Sequence, residues 1–568
     1  MPGAKDFRRL VSGPVTLLRT RHVGPIALAL AATSWTALGH AAPVEPWSDA
    51  DPAEPPARMA FGDFGVRAGA EYRANGLYIA PVDLAAETQR KVSTIDHRLR
   101  LDGVVDYIDK IKLTASVDLL EGVLWGDNGD LGGAPEPSSG ANVNTQNVNN
   151  ARLCVRQTGP SSVEPSSYAY GVCPADPLFV RRAFADVMLP FGLLRIGRQP
   201  ATEGSSVALN DGNGRRNRFG FATRGNSADR ILFATKPLEG FKPVAERDTS
   251  DARGLFAILA YDRNVIDKPM NLGDDTQTVI GAARYLAPSL GQARDVEARL
   301  FYAHRWDRKF GSTINAIGGR VMGSAGGFTF GADGTVFLGR TREVSEAFAV
   351  ITNDPPQSQR ITQFGARAVA RYDWTKVTAY LEADYASGDD DPQVGTPLTQ
   401  FRFAEDSNVG LLMFKHVVAY QTARAAAAGV ELLKSLNAPS YPVEAISTRG
   451  SFSNAMALFP QVDYRPVRDV LLRGGVLVAW APAPVHDPIQ SQQRRDGVSI
   501  ADDLVNFQGG KPGKFYGTEM DLRVQYRYLE HVAFDLEGAY LVPGDALQNA
   551  DGRAANSVMV QGRTTIFF

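Results

Sequence analysis

Residues 516–528 read Tyr-Gly-Thr-Glu-Met-Asp-Leu-Arg-Val-Gln-Tyr-Arg-Tyr. Apolar or neutral side chains at Tyr516, Thr518, Met520, Leu522, Val524, Tyr526 and Tyr528 alternate with Glu519, Asp521, Arg523, Gln525 and Arg527. A period of two puts the first set on one face of a β-strand and the charged set on the other. After a short turn at 529–531 the pattern resumes, with Val532, Phe534, Leu536 and Tyr540 opposing Asp535 and Glu537.

The N-terminal part repeats it. Phe64, Val66, Ala68, Ala70 and Tyr72 oppose Arg67, Glu71 and Arg73, and Ile95, Leu99, Leu101, Val105 and Tyr107 oppose Asp96, Arg98, Arg100, Asp102 and Asp106. Ile111, Leu113, Ala115, Val117 and Leu119 then oppose Lys112, Thr114, Ser116 and Asp118. Similar strands are expected near 178–189, 193–199, 228–235, 254–262, 277–286, 295–304, 361–373, 376–386, 450–459 and 470–481, with a last one ending Val558, Val560, Gly562, Thr564, Ile566, Phe568.

Connections alternate in length. Tight turns are read at 107–110, 190–192, 374–375 and 529–531, and long polar loops at 126–177, 200–227, 305–360, 387–449, 482–514 and 542–556. A sandwich has no reason to gather its long loops at one end, whereas an outer-membrane barrel pairs short periplasmic turns with long external loops. The expectation is therefore an all-β transmembrane antiparallel barrel of 16–18 strands, the upper figure applying if 305–360 hides a hairpin around Thr335–Leu338. Aromatics near strand ends, Tyr107, Trp125, Tyr285, Tyr302, Trp374, Tyr385, Trp480, Tyr528 and Tyr540, would form its interfacial girdles.

Composition fits this reading. The chain of 568 residues is 44% hydrophobic and 21% charged, as expected when only alternate residues meet lipid. Lys and Arg number 60 against 62 Asp and Glu, so no global field points to nucleic acid. Of the 60 basic residues only 13 are Lys, a bias that suits forks gripping carboxylates and equally reflects codon usage.

Residues 1–41 read as a signal peptide: Arg8, Arg9, Arg19 and Arg21 precede the apolar run Ile26–Ala32, and Gly39-His40-Ala41 offers small residues for cleavage. A periplasmic linker at 42–60 and the barrel at 61–568 would follow. Export would expose Cys154 and Cys173, in one loop, to an oxidising compartment, and one disulfide is expected there rather than a metal site. The Ala-rich stretch Leu411–Leu436 breaks the strand pattern and predicts a loop helix, placed as a plug in the mouth or as an external cap.

With the apolar face in lipid, Arg67, Arg73, Arg98, Arg100, Arg195, Arg367, Arg371, Arg523 and Arg527 become lumen and solute-binding candidates, beside Glu71, Lys112, Asp118, Glu382 and Asp384. Such arginines either select anions or pair with wall carboxylates. Asp389–Asp391 offers carboxylate oxygens to Ca²⁺ or forms a solvated loop. Histidines beyond the signal segment, His97, His304, His416, His486 and His531, lie in no short motif with a Ser nucleophile or at metal spacing, so neither an enzyme nor a cofactor is expected.

Three stretches resemble the alginate-export family of outer-membrane barrels: Leu194-Arg195-Ile196-Gly197-Arg198-Gln199, Tyr385-Ala386-Ser387-Gly388-Asp389-Asp390-Asp391-Pro392 and Tyr540-Leu541-Val542-Pro543-Gly544-Asp545. Asn210-Asp211-Gly212 and Asp229-Arg230-Ile231 look similar to an uncharacterised branch of porin-like barrels. The resemblance implies an Arg-rich lumen conducting an anionic, uronate-type polysaccharide or smaller acidic solutes. The terminal Phe568 resembles the insertion signal read by the barrel-assembly machinery, with Gly562 one place off the usual register. The reading is thus a porin-like channel for polar, anionic solutes partnered by outer-membrane lipid, with a gated exporter or a surface-binding platform as the alternative.

Overall fold

The computed structural model describes residues 45–49, 58–85, 91–108, 110–126, 155–158, 167–170, 178–202, 204, 206–211, 216–221, 226–266, 276–308, 310–438, 443, 446–497, 499–529 and 531–567. The signal segment, Cys154, Cys173 and Phe568 lie outside the described residues.

Eighteen long strands close into one antiparallel barrel. They are β1 (Phe64–Ala80), β2 (Val92–Tyr107), β3 (Ile111–Gly126), β4 (Leu178–Leu189), β5 (Gly192–Pro200), β6 (Ser227–Thr235), β7 (Gly254–Ile266), β8 (Gln277–Leu290) and β9 (Ala293–Trp306). The second half holds β10 (Thr313–Ala325), β11 (Phe328–Thr341), β12 (Gln359–Asp373), β13 (Val377–Ala386), β14 (Ala455–Tyr464), β15 (Val470–Trp480), β16 (Phe515–Tyr528), β17 (Val532–Pro543) and β18 (Ser557–Phe567). Each pairs with its sequence neighbour, and β18 returns to β1 through Val558↔Ala80 to Phe567↔Glu71, so no edge is left unpaired.

The exposure pattern is inverted relative to a soluble protein. Leu522 is 67% exposed and Leu259 60%, whereas Glu519, Arg523 and Asp118 are essentially inaccessible. Across the middle of the wall the outer face is apolar and the charged side chains turn mostly inward, which is stable only with hydrocarbon outside. Of the aromatics expected at the interfaces, Tyr107, Tyr285, Tyr302, Trp374, Tyr385, Trp480, Tyr528 and Tyr540 lie on that outer face, and the Trp125 side chain lies outside those described.

The segment 305–360, read as a long loop with room for a hairpin around Thr335–Leu338, contains that hairpin, β10–β11, and then helix α1 (Glu343–Thr352). Its alternation is faint because Ala316, Gly318, Gly319 and Gly334 thin out both faces, and Ile314 and Met322 place apolar groups on the lumen side. The strand expected at 450–459 runs Ala455–Tyr464, because Gly450 and Asn454 adopt positive φ and delay it. Connections are short on the periplasmic side except for 236–253, which includes one helical turn at Pro237–Gly240.

The loop helix is present: one π-type turn at Met413–Val418 runs into α2 (Ala419–Ser435). Its two ends answer the plug-or-cap question differently. Leu411–Val418 packs with Phe401, Phe403 and Phe452 against lumen-facing Leu77, Ile79, Phe459, Leu477, Leu541 and Met559 of the wall. Farther along, Val430 and Leu433 join Phe348 of α1 and Ile489 of α3 (Pro488–Arg494) in an external cap.

Candidate functional site

The charged lumen face is first a set of cross-strand pairs. Arg100 grips Asp118 through two bonds of 2.7 and 3.1 Å, and Arg181 adds a third at 3.1 Å. Arg195 holds Asp186 at 2.6 and 3.0 Å, Arg230 holds Asp262 at 2.6 and 2.8 Å, and Arg98 meets Glu71 at 2.5 Å. Arg367 bonds Asp384 at 2.6 Å and lies 3.2 Å from Glu382. Partners such as Asp186↔Arg195, Arg100↔Asp118 and Arg367↔Asp384 stand opposite one another in the ladder, so register alone brings the charges together. Of the candidate arginines, Arg98, Arg100, Arg195 and Arg367 are therefore buried wall pairs. Arg371, nearer the periplasmic end, is more open and bonds Asp373 at 2.9 Å. The Nε atoms of Arg67 and Arg527 are buried without a partner among the described residues.

Three inward segments fill the lumen beside β12–β18 and β1. The long loop after β13 enters as the plug described above, and a wall carboxylate caps it. Glu519 of β16 accepts from the backbone N–H groups of Leu411 at 2.7 Å, Leu412 at 2.9 Å and Met413 at 2.5 Å. A negative charge on unsatisfied N–H groups at the start of a helical run is the arrangement the peptide dipoles favour. Gly410, at φ +71°, makes the approach possible, since a Cβ there would stand 2.7 Å from Glu519 Oε1.

The loop between β5 and β6 enters as a second insertion. Arg218 lies 3.2 Å above the Tyr380 ring and bonds Gln461 at 2.7 Å and Asp463 at 3.0 Å. Phe219 packs on Phe459 at 5.4 Å, Gly220 N–H donates to Glu537, and Phe221 is flanked by the guanidiniums of Arg73 at 4.4 Å and Arg563 at 5.0 Å.

The third insertion is N-terminal. Residues 45–49, expected within a periplasmic linker, lie inside the barrel because their acids find lumen arginines. Glu45 bonds Arg320 at 2.6 Å, Trp47 is buried on Val369 and Tyr380, and Asp49 reaches Arg473 and Arg523. Arg523, a sequence candidate, thus belongs to the central cluster with Asp49, Asp535 and Arg473.

Along β8 and β9 the wall is less covered. Ile280, Ala282, Arg284, Phe301, Ala303 and Arg305 face the lumen and are partly exposed. Arg284 and Arg299 stand opposite each other and share Glu297, each at 3.0 Å. The arginine side chains are 15% and 16% exposed and the carboxylate 2%, so the side chains left partly open to the lumen here are the cationic ones and their counter-charge is hidden. Arg299 continues across to Arg320 of β10. Arg284 does not stand out in the sequence, because Ile280 and Ala282 make the inner face of β8 as apolar as Val279, Gly281 and Ala283 on its outer face.

Other residues singled out in the sequence have local roles. Asp389 accepts from the backbone N–H groups of Asp391 and Thr399, and Asp391 from that of Gln393, so both tie down their own loop. Among the histidines, His304 bonds Asn315 and stacks on Trp306, His486 approaches the Pro484 carbonyl, and His416 is buried in the plug, where desolvation and the Lys415 charge push its pKa well below the ordinary value.

A closed barrel of this width with an apolar exterior and a charged, loop-filled interior is a porin-like barrel of the outer membrane. The alginate-export family matches residues 435–561, which hold β14–β17, the first half of β18 and the connections between them. Among solved structures, OccAB1 of Acinetobacter baumannii is 9% identical with a TM-score of 0.46, covering 89% of this chain and 96% of its own. OccK9 (OpdG) of Pseudomonas aeruginosa is 10% identical with a TM-score of 0.44, covering 88% and 98%. At that level of likeness neither carries an inference about the solute. No curated protein matches the chain.

Proposed function

We propose that the barrel is a channel for small anionic solutes, which pass along the β8–β9 side of the lumen beside the packed plug. One observation carries the reading: the Arg284 and Arg299 side chains stay partly open to the lumen while Glu297, which fixes them, is withdrawn. A wall that exposes cations and buries its anions lowers the energy of an anion in the pore and raises that of a cation. The filled half of the lumen favours a small solute over a polysaccharide chain, since Phe401, Phe403, Phe414 and Phe452 pack there as a core.

The test is the reversal potential of single channels in a salt gradient, for the native protein and for the double variant Arg284→Glu, Arg299→Glu. Anion preference that weakens or reverses in the variant is expected. An unchanged reversal potential would remove these arginines from selectivity.

The second reading, a gated exporter or a surface-binding platform, draws on the three-helix cap and the buried plug. A barrel that stays silent in planar bilayers, and conducts only after the plug is removed, would favour it.

A further inference from the structure

The Arg473–Arg523 pair is arranged as a carboxylate site, and a carboxylate of the chain itself occupies it. Arg473 uses Nε and Nη2 to hold Asp463 at 2.7 and 2.8 Å, and turns Nη1 and Nη2 to the two oxygens of Asp49 at 3.0 and 2.9 Å. Arg523 bonds Asp535 and gives Nη1 to the same Asp49 at 3.0 Å. Both guanidiniums also donate to the carbonyl of Arg218. Arg218 itself brings a third positive charge, bonded to Asp463. Asp463, Asp535 and Glu537 balance three of the four cations Arg218, Arg473, Arg523 and Arg563, and Asp49 supplies the remaining negative charge. Burial pushes the Asp49 carboxyl up, and the charges of Arg473 and Arg523 more than reverse this, so it stays well below the usual carboxylate range.

The segment bearing Asp49 is held by replaceable contacts rather than by the barrel ladder. Ser48 and Asp49 pair with Asn217 and Arg216 of the inserted loop, not with a wall strand. Glu45 reaches Arg320 on β10, and Trp47 lies 5.3 Å under that guanidinium. The wall makes room at Gly331, where a Cβ would stand 2.6 Å from the Trp47 ring. The segment therefore runs from β10–β11 to β15–β16 as a chord across the lumen, with an acid at each end on an arginine of the wall.

We propose that residues 45–49 form a latch whose Asp49 occupies a carboxylate-binding site of Arg473 and Arg523, and that a small organic carboxylate in the lumen takes this site by displacing it. Arg473 meets both Asp49 oxygens in a planar two-point fashion that suits carboxylates and is wasted on chloride. The inference deepens the reading of the barrel as an anion channel and rests on it for the route by which the ligand arrives.

Succinate serves as the probe, titrated at constant ionic strength into the full-length protein extracted from outer membranes in detergent. The signal is the emission of Trp47, isolated as the difference between native protein and Trp47→Phe. Succinate is expected to shift this emission to the red as Trp47 leaves its pocket, and chloride is not. Asp49→Asn removes the internal competitor and is expected to lower the half-saturating succinate concentration about tenfold, as a site freed from a closed population binds more tightly. Glu45→Gln, which loosens the far anchor without touching the arginine pair, should act in the same direction, so the result does not hang on one variant. A Trp47 signal indifferent to succinate, or unchanged half-saturation in both variants, overturns the latch. Reversal potentials on the same preparations separate the two claims. Anion preference without a Trp47 response defeats the latch alone, and a Trp47 response without anion preference defeats the channel reading alone.

Discussion

Replacing Glu519 by Ala should undock the plug. Its carboxylate receives three backbone N–H groups, from Leu411, Leu412 and Met413, in a site shut off from water. Each charge-assisted bond contributes on the order of 1.5–3 kcal/mol, and truncation leaves all three donors buried without an acceptor. The bonds share one acceptor and the neighbourhood relaxes, so the expected loss is about 3–5 kcal/mol, the range for breaking a buried charged pair. At about 1.4 kcal/mol per tenfold, the docked-to-undocked ratio falls by about two to three and a half orders of magnitude. Glu519→Gln keeps one oxygen for the same donors and should lose about half as much. The assay is single-channel recording, scoring time in the larger conductance state, with limited proteolysis of the 387–454 loop as a second readout. An Ala variant whose large-state occupancy stays within about twofold of native would show that Glu519 does not hold the plug.

Three further outcomes follow from the same structure. Leu522→Arg puts a charge into the lipid-facing belt beside the buried Arg523 and should lower folding stability in vesicles by about 2–4 kcal/mol, measured by denaturant titration. Asp118→Asn strands both Arg100 and Arg181 and should cost about 3–5 kcal/mol, more than Arg100→Gln, which leaves Asp118 with Arg181; thermal unfolding in detergent compares them. His416, buried and neutral in the docked plug, regains an ordinary pKa near 6.5 once released, so the released form binds more protons below that value. Docking should hold above pH 6.5 and weaken as pH falls below it, by at most about 1.4 kcal/mol per pH unit. Large-state occupancy should rise on acidification, and His416→Gln should flatten that dependence.

The outer face was legible in the sequence because lipid demands an apolar group at nearly every second position. Strands such as β16 and β17 therefore announce themselves, and so does the Ala-rich run of α2, which has no reason to alternate. The β10–β11 hairpin is weaker for a physical reason: Gly318, Gly319 and Gly334 carry no side chain to mark a face. Lumen arginines were identifiable as a class, but their roles depend on neighbours far apart in the chain. Arg367 and Arg523 look alike in their strands, yet one is closed off by Asp384 and the other meets Asp49 across the pore. The partly open pair Arg284 and Arg299 stayed hidden because the charge that buries itself, Glu297, lies two residues from Arg299 and gives no sign of which will face water. Residues 45–49 have no periodicity at all, and only the partners of Glu45 and Asp49 reveal where they lie.

On the proposed function, water and anions pass this barrel beside its plug. Recording single channels of the native protein in a potassium chloride gradient tests it most directly. A steady conductance with a reversal potential on the chloride side is expected, whereas a cation-side reversal potential, or a barrel that never conducts, would rule out anion passage beside the plug.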